Sequence, residues 1–234
     1  MSIAENLARV RERIAAAALR AGRSPEQVEL MAVSKTFPPE VIGEAFLHGQ
    51  RLFGENRVQE FADKAAALRR LSDARFHMIG HLQSNKAKAA AELFDAVDSL
   101  DSLKLAERLN AAAQALGKRL PVLIEINTGG EPAKSGLPPD WPELDQLLSA
   151  APRFPNLGIR GLMTIPPFGG AADSARPFFR RLRELRDRIA ARRLPAVAMD
   201  VLSMGMSHDF EVAIEEGSTC VRIGTAIFGE RAKP

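Results

Sequence analysis

The sequence has no tyrosine and only one cysteine, Cys220, among its 234 residues. A single cysteine cannot form an internal disulfide and is too few for a zinc cluster, which favours a reducing compartment. No stretch approaches the roughly 20 consecutive apolar residues that a membrane span requires, and the polar N-terminus does not resemble a signal peptide. We therefore expect a cytoplasmic protein with no membrane partner.

The charge balance excludes another class of partner. The 32 basic and 29 acidic side chains leave a net charge of +3, and this small excess does not predict the basic stripe of a nucleic-acid-binding protein. With 46% apolar and 26% charged residues, the composition is typical of a globular protein with a sizeable core. No linker or low-complexity segment divides the chain, so residues 1–234 are predicted to form one domain.

An amphipathic helix is predicted at the start of the chain. Ser2 and Glu5 have the spacing of a capping box, apolar residues recur at helical spacing from Ile3 to Ile14, and Gly22 provides a stop. Beyond this helix, short apolar runs alternate with longer helical ones, which is typical of a parallel sheet with crossover helices.

Eight short runs are predicted to be strands. They are Glu29–Ser34, Arg51–Phe53, Phe76–Ile79, Phe94–Val97, Val122–Asn127, Ile159–Ile165, Met199–Ser203 and Cys220–Ile223. The helical stretches between them include Pro39–His48, Val58–Leu71, Leu103–Leu116, Pro142–Ala150 and Ala175–Ala190. Eight β/α units in a chain of this length predict an α/β fold, a (β/α)₈ TIM barrel. Chemistry in such barrels takes place at the C-terminal ends of the strands.

Lys35 directly follows the first predicted strand and should point into the barrel mouth. An apolar surrounding favours the free amine over the ammonium, and the free amine is the form that condenses with an aldehyde to a Schiff base. The alternative interpretation is a surface lysine that caps a helix or pairs with a carboxylate. Lys35 is therefore a candidate only in combination with the other strand ends.

The last two strand ends have the composition of phosphate-binding loops. Ser203 and Gly205 follow the seventh strand, and Gly224 and Thr225 follow the eighth. Glycines allow backbone N–H groups to approach phosphate oxygens, and the hydroxyls add donors. Ser207 or Asp209 could cap a helix whose N-terminus faces the phosphate. Taken singly, each loop is also explained by tight turns and capping. Both lie where barrels commonly hold phosphate.

Two further residues are candidates for contact with a ring. Arg222 lies two residues before Gly224 on the same strand and should face the mouth, where it would hydrogen-bond an acceptor such as a pyridine nitrogen; a buried salt bridge is the alternative. The amide of Asn56, after the second strand, can hydrogen-bond a ring hydroxyl or phenolate without adding charge.

The remaining polar residues are interpreted mainly as loop structure. A polar rim after the third strand includes His77, Gly80 and His81, and Lys134–Gly136 follows the fifth; either could line a substrate side. The four histidines show neither a His-x-His pair nor a His-Glu-x-x-His helix, so no metal site is expected. Trp141 is expected to anchor a loop.

Together, five blocks in order resemble the pyridoxal phosphate homeostasis proteins, the YggS/PROSC family. They are Ala32–Thr36, Phe53–Asn56, Ile79–Lys86, Ser203–Ser207 and Val221–Gly229. The resemblance implies a single-domain barrel of the alanine-racemase type (PLP fold type III) with an extra N-terminal helix.

The same resemblance implies the cofactor and its contacts. Pyridoxal 5′-phosphate (PLP) would be held as a Schiff base on Lys35, with Arg222 at the pyridine nitrogen. Ser203, Gly224 and Thr225 would contact the phosphate, and Asn56 would lie near the ring oxygen. This chain departs from the family pattern at two positions, with Met204 in place of leucine and His208 in place of an acidic residue.

Three functions remain open at this point. The first is PLP binding and delivery in vitamin B6 homeostasis, with little or no turnover, by a monomer whose partners are PLP and apo PLP-dependent enzymes. The second is a PLP-dependent amino-acid racemase-like enzyme, which needs a second acid/base group, and racemases of this fold use tyrosine there. The third is a PLP-free enzyme, either a Schiff-base aldolase acting on a phosphosugar or a metal hydrolase. The absence of tyrosine favours the first.

Overall fold

Eight parallel strands close into one barrel, with every strand paired to the next and β1 paired to β8. The computed structural model describes residues 1–131, 134–140, 142–167 and 169–230. The strands are β1 (Glu29–Val33), β2 (Leu52–Glu55), β3 (Arg75–Met78), β4 (Ala96–Leu100), β5 (Leu120–Glu125), β6 (Leu157–Met163), β7 (Val197–Ser203) and β8 (Cys220–Ile223). The predicted TIM barrel is confirmed.

The predicted strand bounds are wrong at several strands: β5, β6 and β7 each begin two residues earlier than predicted, and β2 and β4 end later than predicted because polar side chains are buried there. The fourth strand begins and ends later than expected, because Asp98 and Ser99 are buried although they are polar. Phe94, predicted to begin that strand, instead lies just after a helix and stacks on Phe61 with 4.7 Å between ring centroids. The second strand likewise extends to the buried carboxylate of Glu55.

Nine α-helices lie among the described residues. They are α1 (Ile3–Arg20), α2 (Pro39–Leu47), α3 (Val58–Leu68), α4 (Ala87–Leu93), α5 (Leu103–Ala115), α6 (Pro142–Ala150), α7 (Arg176–Ala191), α8 (Phe210–Glu215) and α9 (Thr225–Phe228). The predicted capping box of α1 is confirmed, since Ser2 and Glu5 bond each other's backbone N–H. This helix packs on α8 and α9, and Asn6 Nδ2 donates to the carbonyl of Ile227 at 2.8 Å.

The apolar core has two parts. The larger part fills the space between the barrel wall and the surrounding helices. The smaller part fills the inside of the barrel and is formed by five residues, Met31, Val33, Leu52, Ile79 and Cys220. Burial of this kind supplies most of the stability of such a fold. The barrel is therefore a packed body, and its strand ends are held as a rigid platform.

The pairing of β7 with β8 is the shortest in the ring, with one register pair, Ser203 and Cys220. The Ser218 hydroxyl supplements it, lying within hydrogen-bond distance of the carbonyls of Leu202, Met204 and Cys220. We call this junction the β7–β8 seam.

No described helix is both long and apolar enough to cross a membrane. Trp141, expected to anchor a loop, lies outside the described residues.

Candidate functional site at the C-terminal end of the barrel

Of the six residues predicted from sequence to form the site, Arg222 lies within β8, and the other five end or follow strands at the same end of the barrel. Strand register relates three of them directly. Val33 pairs with Gly54, so Lys35 and Asn56 each lie two residues beyond a paired position on neighbouring strands. Ala32 pairs with Ile223 on the other side of β1, which brings Thr225 to the same rim.

Lys35 is presented by a strained turn and is itself half-buried. The next residue, Thr36, has φ of +69°, a left-handed conformation that disfavours β-branched side chains. The carboxylate of Glu60 accepts a hydrogen bond from the Thr36 N–H. This external contact helps to hold a backbone conformation that threonine does not favour by itself.

A buried ion pair lies beneath this turn. Lys64 Nζ is 2.9 Å from Glu55 Oε1, and both side chains are almost fully buried. Lys64 also donates to the carbonyls of Ser34 and Phe37, at 3.2 and 3.3 Å. Burial raises the pKa of Glu55, whereas the Lys64 ammonium acts to lower it. Lys64 therefore joins both ends of the segment that carries Lys35.

Sequence analysis missed this role of Lys64, which lies on the predicted helix Val58–Leu71. Its signal is weak, because a lysine in a helix is normally solvated. The one available clue is its i,i+4 spacing to Glu60, with which it also pairs at 3.3 Å.

Asn56 owes its place on the rim to a glycine on the neighbouring strand end. A Cβ atom on Gly80 would lie 2.3 Å from the carbonyl oxygen of Asn56 and 3.0 Å from its side-chain Cγ. Position 80 therefore requires glycine, because the Asn56 backbone lies so close to it. This explains the glycine in the polar rim predicted after the third strand.

Arg222 is buried at 3% exposure inside the upper part of the barrel. Its Nη1 donates to Ser203 Oγ and its Nη2 to the carbonyl of Thr164, both at 2.7 Å. Both acceptors are neutral oxygens, so the two bonds differ from the buried salt bridge considered as an alternative. A guanidinium has five N–H donors, and these bonds account for two of them. The Ser203 hydroxyl, as an acceptor here, can still donate its own proton.

The charge of Arg222 is balanced at a distance. Burial lowers its pKa, while nearby acidic groups, including Asp98, Glu125 and Asp209, act in the opposite direction. A guanidinium nevertheless stays protonated in proteins. Arg222 is therefore a fixed positive charge among carboxylates that come from β4, β5 and the loop after β7.

The two glycines of the predicted phosphate loops have different explanations. Gly205 has φ of +94°, and a Cβ there would lie 2.5 Å from the Cβ of Ala213, so the loop itself requires glycine. Gly224 has φ of −111°, and a Cβ there would meet only Val33, at 3.5 Å or more. Neither backbone conformation nor internal packing requires glycine at 224, which is what space reserved for a ligand would produce.

The loops after β7 and β8 are joined to each other. Ser207 Oγ accepts a hydrogen bond of 3.4 Å from the Ala226 N–H, and Arg222 N–H donates to the Gly205 carbonyl at 2.9 Å. Asp209 lies at the N-cap position of α8, as predicted, but its side chain makes no capping bond; its Oδ1 accepts from Met206 N–H at 2.6 Å and stabilises the loop instead. His208, the departure from the family pattern, is 3.2 Å from Asp209 Oδ2.

The opposite side of the mouth is acidic. Glu125 ends β5, is 4% exposed, and accepts a 3.0 Å hydrogen bond from Ser135 on Oε1. Its Oε2 is buried without a hydrogen-bond partner among the described residues. Burial raises the pKa of Glu125 to about 7, with Asp101 acting in the same direction and Arg222 in the opposite one.

Sequence analysis did not single out Glu125. A glutamate at the end of an apolar run is usually solvated, and nothing in the local sequence shows that the following loop covers it. Ser135, named as part of a segment that could line the substrate side, is the residue in contact with it.

His77 does not belong to the mouth, which corrects its assignment to the rim. It lies within β3 and contacts Asp98 at 3.2 Å, and a cavity of about 260 Å³ beside both reaches Glu29 and Arg75 at the start of their strands. Burial acts to lower the pKa of His77, but the Asp98 carboxylate outweighs it and raises that pKa. Among the described residues, no group of three or more His, Cys, Asp or Glu side chains could hold a metal ion.

Comparison with known proteins agrees with the geometry. Residues 4–232 match the family model of the alanine racemase N-terminal domain. The chain is 48% identical over 231 residues to the pyridoxal phosphate homeostasis protein of Aquifex aeolicus, covering 99% of both chains. The structure of an unknown protein from Bifidobacterium adolescentis matches with a TM-score of 0.90 and 39% identity, covering 96% of this chain and 94% of that one.

One solved relative contains the cofactor. PipY of Synechococcus elongatus PCC7942, with PLP bound, matches with a TM-score of 0.82 and 38% identity, covering 97% of this chain and 100% of that one. These matches confirm the resemblance drawn from the five sequence blocks.

Proposed function

The chain belongs to the family of pyridoxal phosphate homeostasis proteins, and we propose that it binds pyridoxal 5′-phosphate at the C-terminal end of its barrel and delivers it to other proteins. This proposal rests on the positions of Lys35, Arg222 and Gly224, which lie together at the C-terminal ends of the adjacent strands β1 and β8. An aldehyde-bearing phosphate ester would use these three groups. They are a reactive amine, a fixed cation and a glycine that neither backbone conformation nor internal packing requires.

The residues present fit the cofactor group by group. Gly224 provides space beside Thr225, whose hydroxyl can donate to a phosphate oxygen. Arg222 has further N–H groups for a ring nitrogen, beyond those used for Ser203 and Thr164. Asn56 has an uncharged amide at the neighbouring strand end for the ring oxygen.

Lys35 is the residue that we propose to hold the cofactor covalently, as a Schiff base. When bound, PLP supplies an aldehyde carbon that reacts with amines and a ring that can withdraw electrons. Lys35 supplies the amine, and the turn held by Lys64 and Glu60 keeps it at the rim. A lysine fixed in this way would retain the aldehyde and protect it from other amines.

Low turnover follows from Arg222. A guanidinium does not give up its proton, so it keeps a ring nitrogen that it contacts unprotonated. A ring without a pyridinium charge withdraws electrons less strongly and stabilises a carbanion poorly. The absence of tyrosine removes the second acid/base group of the racemase-like alternative, so binding and delivery remain the preferred function.

The cellular setting is part of the same proposal. We infer that the protein acts in the cytoplasm as a monomer and that its recipients are apo PLP-dependent enzymes. The single buried cysteine supports a reducing compartment.

The test is a visible spectrum of the purified protein before and after borohydride reduction, followed by peptide mapping. We expect a yellow protein whose reduced pyridoxyl group maps to Lys35. Lys35→Ala should abolish the reducible adduct while leaving the circular dichroism spectrum unchanged, since the barrel core does not include this side chain.

Lys88→Ala is the matched control, because Lys88 is a highly exposed lysine on α4. It should retain the full adduct. A colourless protein that takes up no added PLP would overturn the function, and an adduct that survives in Lys35→Ala would overturn the attachment site.

A further inference from the structure

We propose that Glu125, with Asp101 beside it, forms a binding site for the amino group of a small primary amine, on the side of the barrel mouth opposite Lys35. This inference rests on the proposed function, because the amine that binds there would be the one that takes the cofactor from Lys35. It adds a second ligand to the site, of a stated chemical class.

Strand order places the two groups across the mouth from one another. In the closed ring β1 to β8, β5 is four strands away from β1 in either direction. Lys35 follows β1 and Glu125 ends β5. The Glu125 carboxyl interacts electrostatically with Arg222, Asp101 and His81, which belong to three other strand ends. Leu123, two residues earlier on β5, lines the cavity beside His77 and Cys220, and alternate residues of a strand share a face, so Glu125 also faces the inside of the barrel.

The carboxyl is held ready and is incompletely bonded. The loop after β5 folds back on it, with Ser135 donating to Oε1 and the Leu137 N–H donating to the Glu125 carbonyl at 2.8 Å. Gly136, at φ of +101°, allows this approach, since a Cβ there would lie 3.2 Å from Glu125 Cγ. Among the residues that the structure describes, the buried Oε2 has no hydrogen-bond partner. A buried polar atom without a partner is costly, and a ligand donor would remove that cost.

Charge selects the ligand. The Arg222 side of the mouth carries a fixed cation and hydroxyl donors, which suit the anionic end of the cofactor. The Glu125 side carries two carboxylates, of which Asp101 is also 3.1 Å from His81 Nδ1. Primary amines arrive in water as ammonium ions, so they are attracted to Glu125 and Asp101 and repelled by Arg222.

The carboxylate also solves a chemical problem. An ammonium has no free electron pair and cannot attack an aldehyde carbon until it loses a proton. Glu125 as carboxylate accepts that proton. The amine nitrogen then forms a bond to the carbon that carries Lys35, and its two remaining protons pass to Lys35 Nζ. The bond from that carbon to Nζ breaks, and Lys35 leaves as a neutral amine that can take the proton held by Glu125. Protons and electrons balance without any further reactant.

The first test uses the PLP-loaded protein and two nucleophiles. Methylamine is a cation at neutral pH, whereas hydroxylamine is uncharged and needs neither attraction nor deprotonation. We expect Glu125→Gln to slow methylamine-driven loss of PLP by roughly tenfold or more and to leave the hydroxylamine rate unchanged. Glu107→Gln, an exposed carboxylate on α5, should change neither rate.

The second test uses the full chain without PLP, so its result does not depend on binding of the cofactor. In protein labelled with ¹³C at glutamate carboxyls, the Glu125 signal is identified by its absence in Glu125→Gln. Methylamine should shift the titration midpoint of that signal to lower pH, because a bound cation stabilises the carboxylate.

The inference is overturned if methylamine leaves the Glu125 titration unmoved, or if Glu125→Gln slows both nucleophiles equally, as a general loosening of the mouth would. A wild-type protein that binds no PLP would instead overturn the proposed function. In that case the titration still tests the amine site by itself.

Discussion

Lys64 Nζ and Glu55 Oε1 lie 2.9 Å apart beneath the turn that carries Lys35, and both side chains are almost fully buried. Each charge depends on the other, since a buried charge without a partner is strongly unfavourable. The pair also fixes the carbonyls on either side of the reactive lysine. Stability and positioning of Lys35 are therefore linked in one contact.

We predict that Lys64→Met destabilises the protein by about 3–5 kcal/mol, because it leaves the Glu55 carboxylate buried without its cation. Urea unfolding monitored by circular dichroism measures this loss. The variant Lys88→Met changes an exposed lysine and should leave the midpoint unchanged. If Lys64→Met also left the urea midpoint unchanged, the ion pair would not stabilise the fold.

The double variant Glu55→Gln/Lys64→Met separates charge from geometry. Removing both charges should restore part of the stability, since no uncompensated ion remains. Attachment of PLP to Lys35 should still be weaker than in wild type, because the two carbonyl contacts of Lys64 are absent. Equal attachment in the double variant and wild type would contradict a positioning role.

Gly224→Ala and Gly205→Ala form a matched pair. Gly224→Ala should leave the free energy of unfolding within about 0.5 kcal/mol of wild type, as is usual for substitutions that disturb no packing, yet weaken PLP binding. Gly205→Ala should destabilise by more than 1 kcal/mol, roughly the cost of a left-handed non-glycine residue plus overpacking. Urea unfolding and equilibrium dialysis with PLP distinguish the two variants. Unchanged PLP affinity in Gly224→Ala would contradict the proposal that the space at Gly224 is reserved for the cofactor.

Arg222→Gln should weaken PLP retention and shift the visible absorption of the bound cofactor, because the contact to the ring nitrogen loses its charge. It should also raise the pKa values of the neighbouring carboxyls Glu125 and Asp209, since a stabilising cation is removed. Titration of the protein with PLP, followed by visible absorption, measures the change in retention and the spectral shift. An unchanged spectrum and unchanged retention would exclude the contact.

Glu125 makes stability depend on pH. Burial raises its pKa in the folded state to about 7, against an ordinary value of 4.5, so the folded state holds a proton that the unfolded chain has already lost. Stability should therefore fall as the pH rises from about 4.5 to about 7, by roughly 3 kcal/mol, and then level off.

The measurement is the unfolding free energy in urea at a series of pH values. Glu125→Gln should lack this part of the decline, whereas Glu107→Gln should follow wild type. In all three proteins His77 adds a separate decline above pH 6.5, because its pKa is raised from that value and the stability it contributes is lost as the pH rises through the folded-state pKa. Parallel curves for wild type and Glu125→Gln would mean that the carboxyl is solvated.

The fold was predictable because the barrel repeats one simple pattern. Runs such as Val122–Asn127 begin with three consecutive apolar residues, and helices such as Pro142–Ala150 lie between the runs, so period and length identify each unit. The prediction failed locally at β4, where Asp98 and Ser99 are polar but buried. Composition cannot show that a carboxylate has a partner, here His77, from another strand.

The site was predictable only in part, for a related reason. Lys35, Arg222 and Gly224 lie at strand ends, where the barrel rule directs attention. Lys64 and Glu125 depend on contacts across the fold, to Ser34 thirty residues away and to a loop that folds back over β5. Such residues carry at most a weak local signal, such as the i,i+4 spacing of Lys64 to Glu60, because a solvated helix can have the same sequence.

The β7–β8 seam has one further consequence. Besides its single register pair, the seam is held by three backbone hydrogen bonds, donated by the N–H groups of Thr219, Met204 and Arg222, and by the Ser218 hydroxyl. A phosphate held between the loops after β7 and β8 would act as a clasp on the ring. Without it, amide hydrogens along β7 and β8 should exchange sooner than those of β5 and β6, and the parted strands would offer two bare edges to other chains. Loading with cofactor would then also protect the protein against self-association.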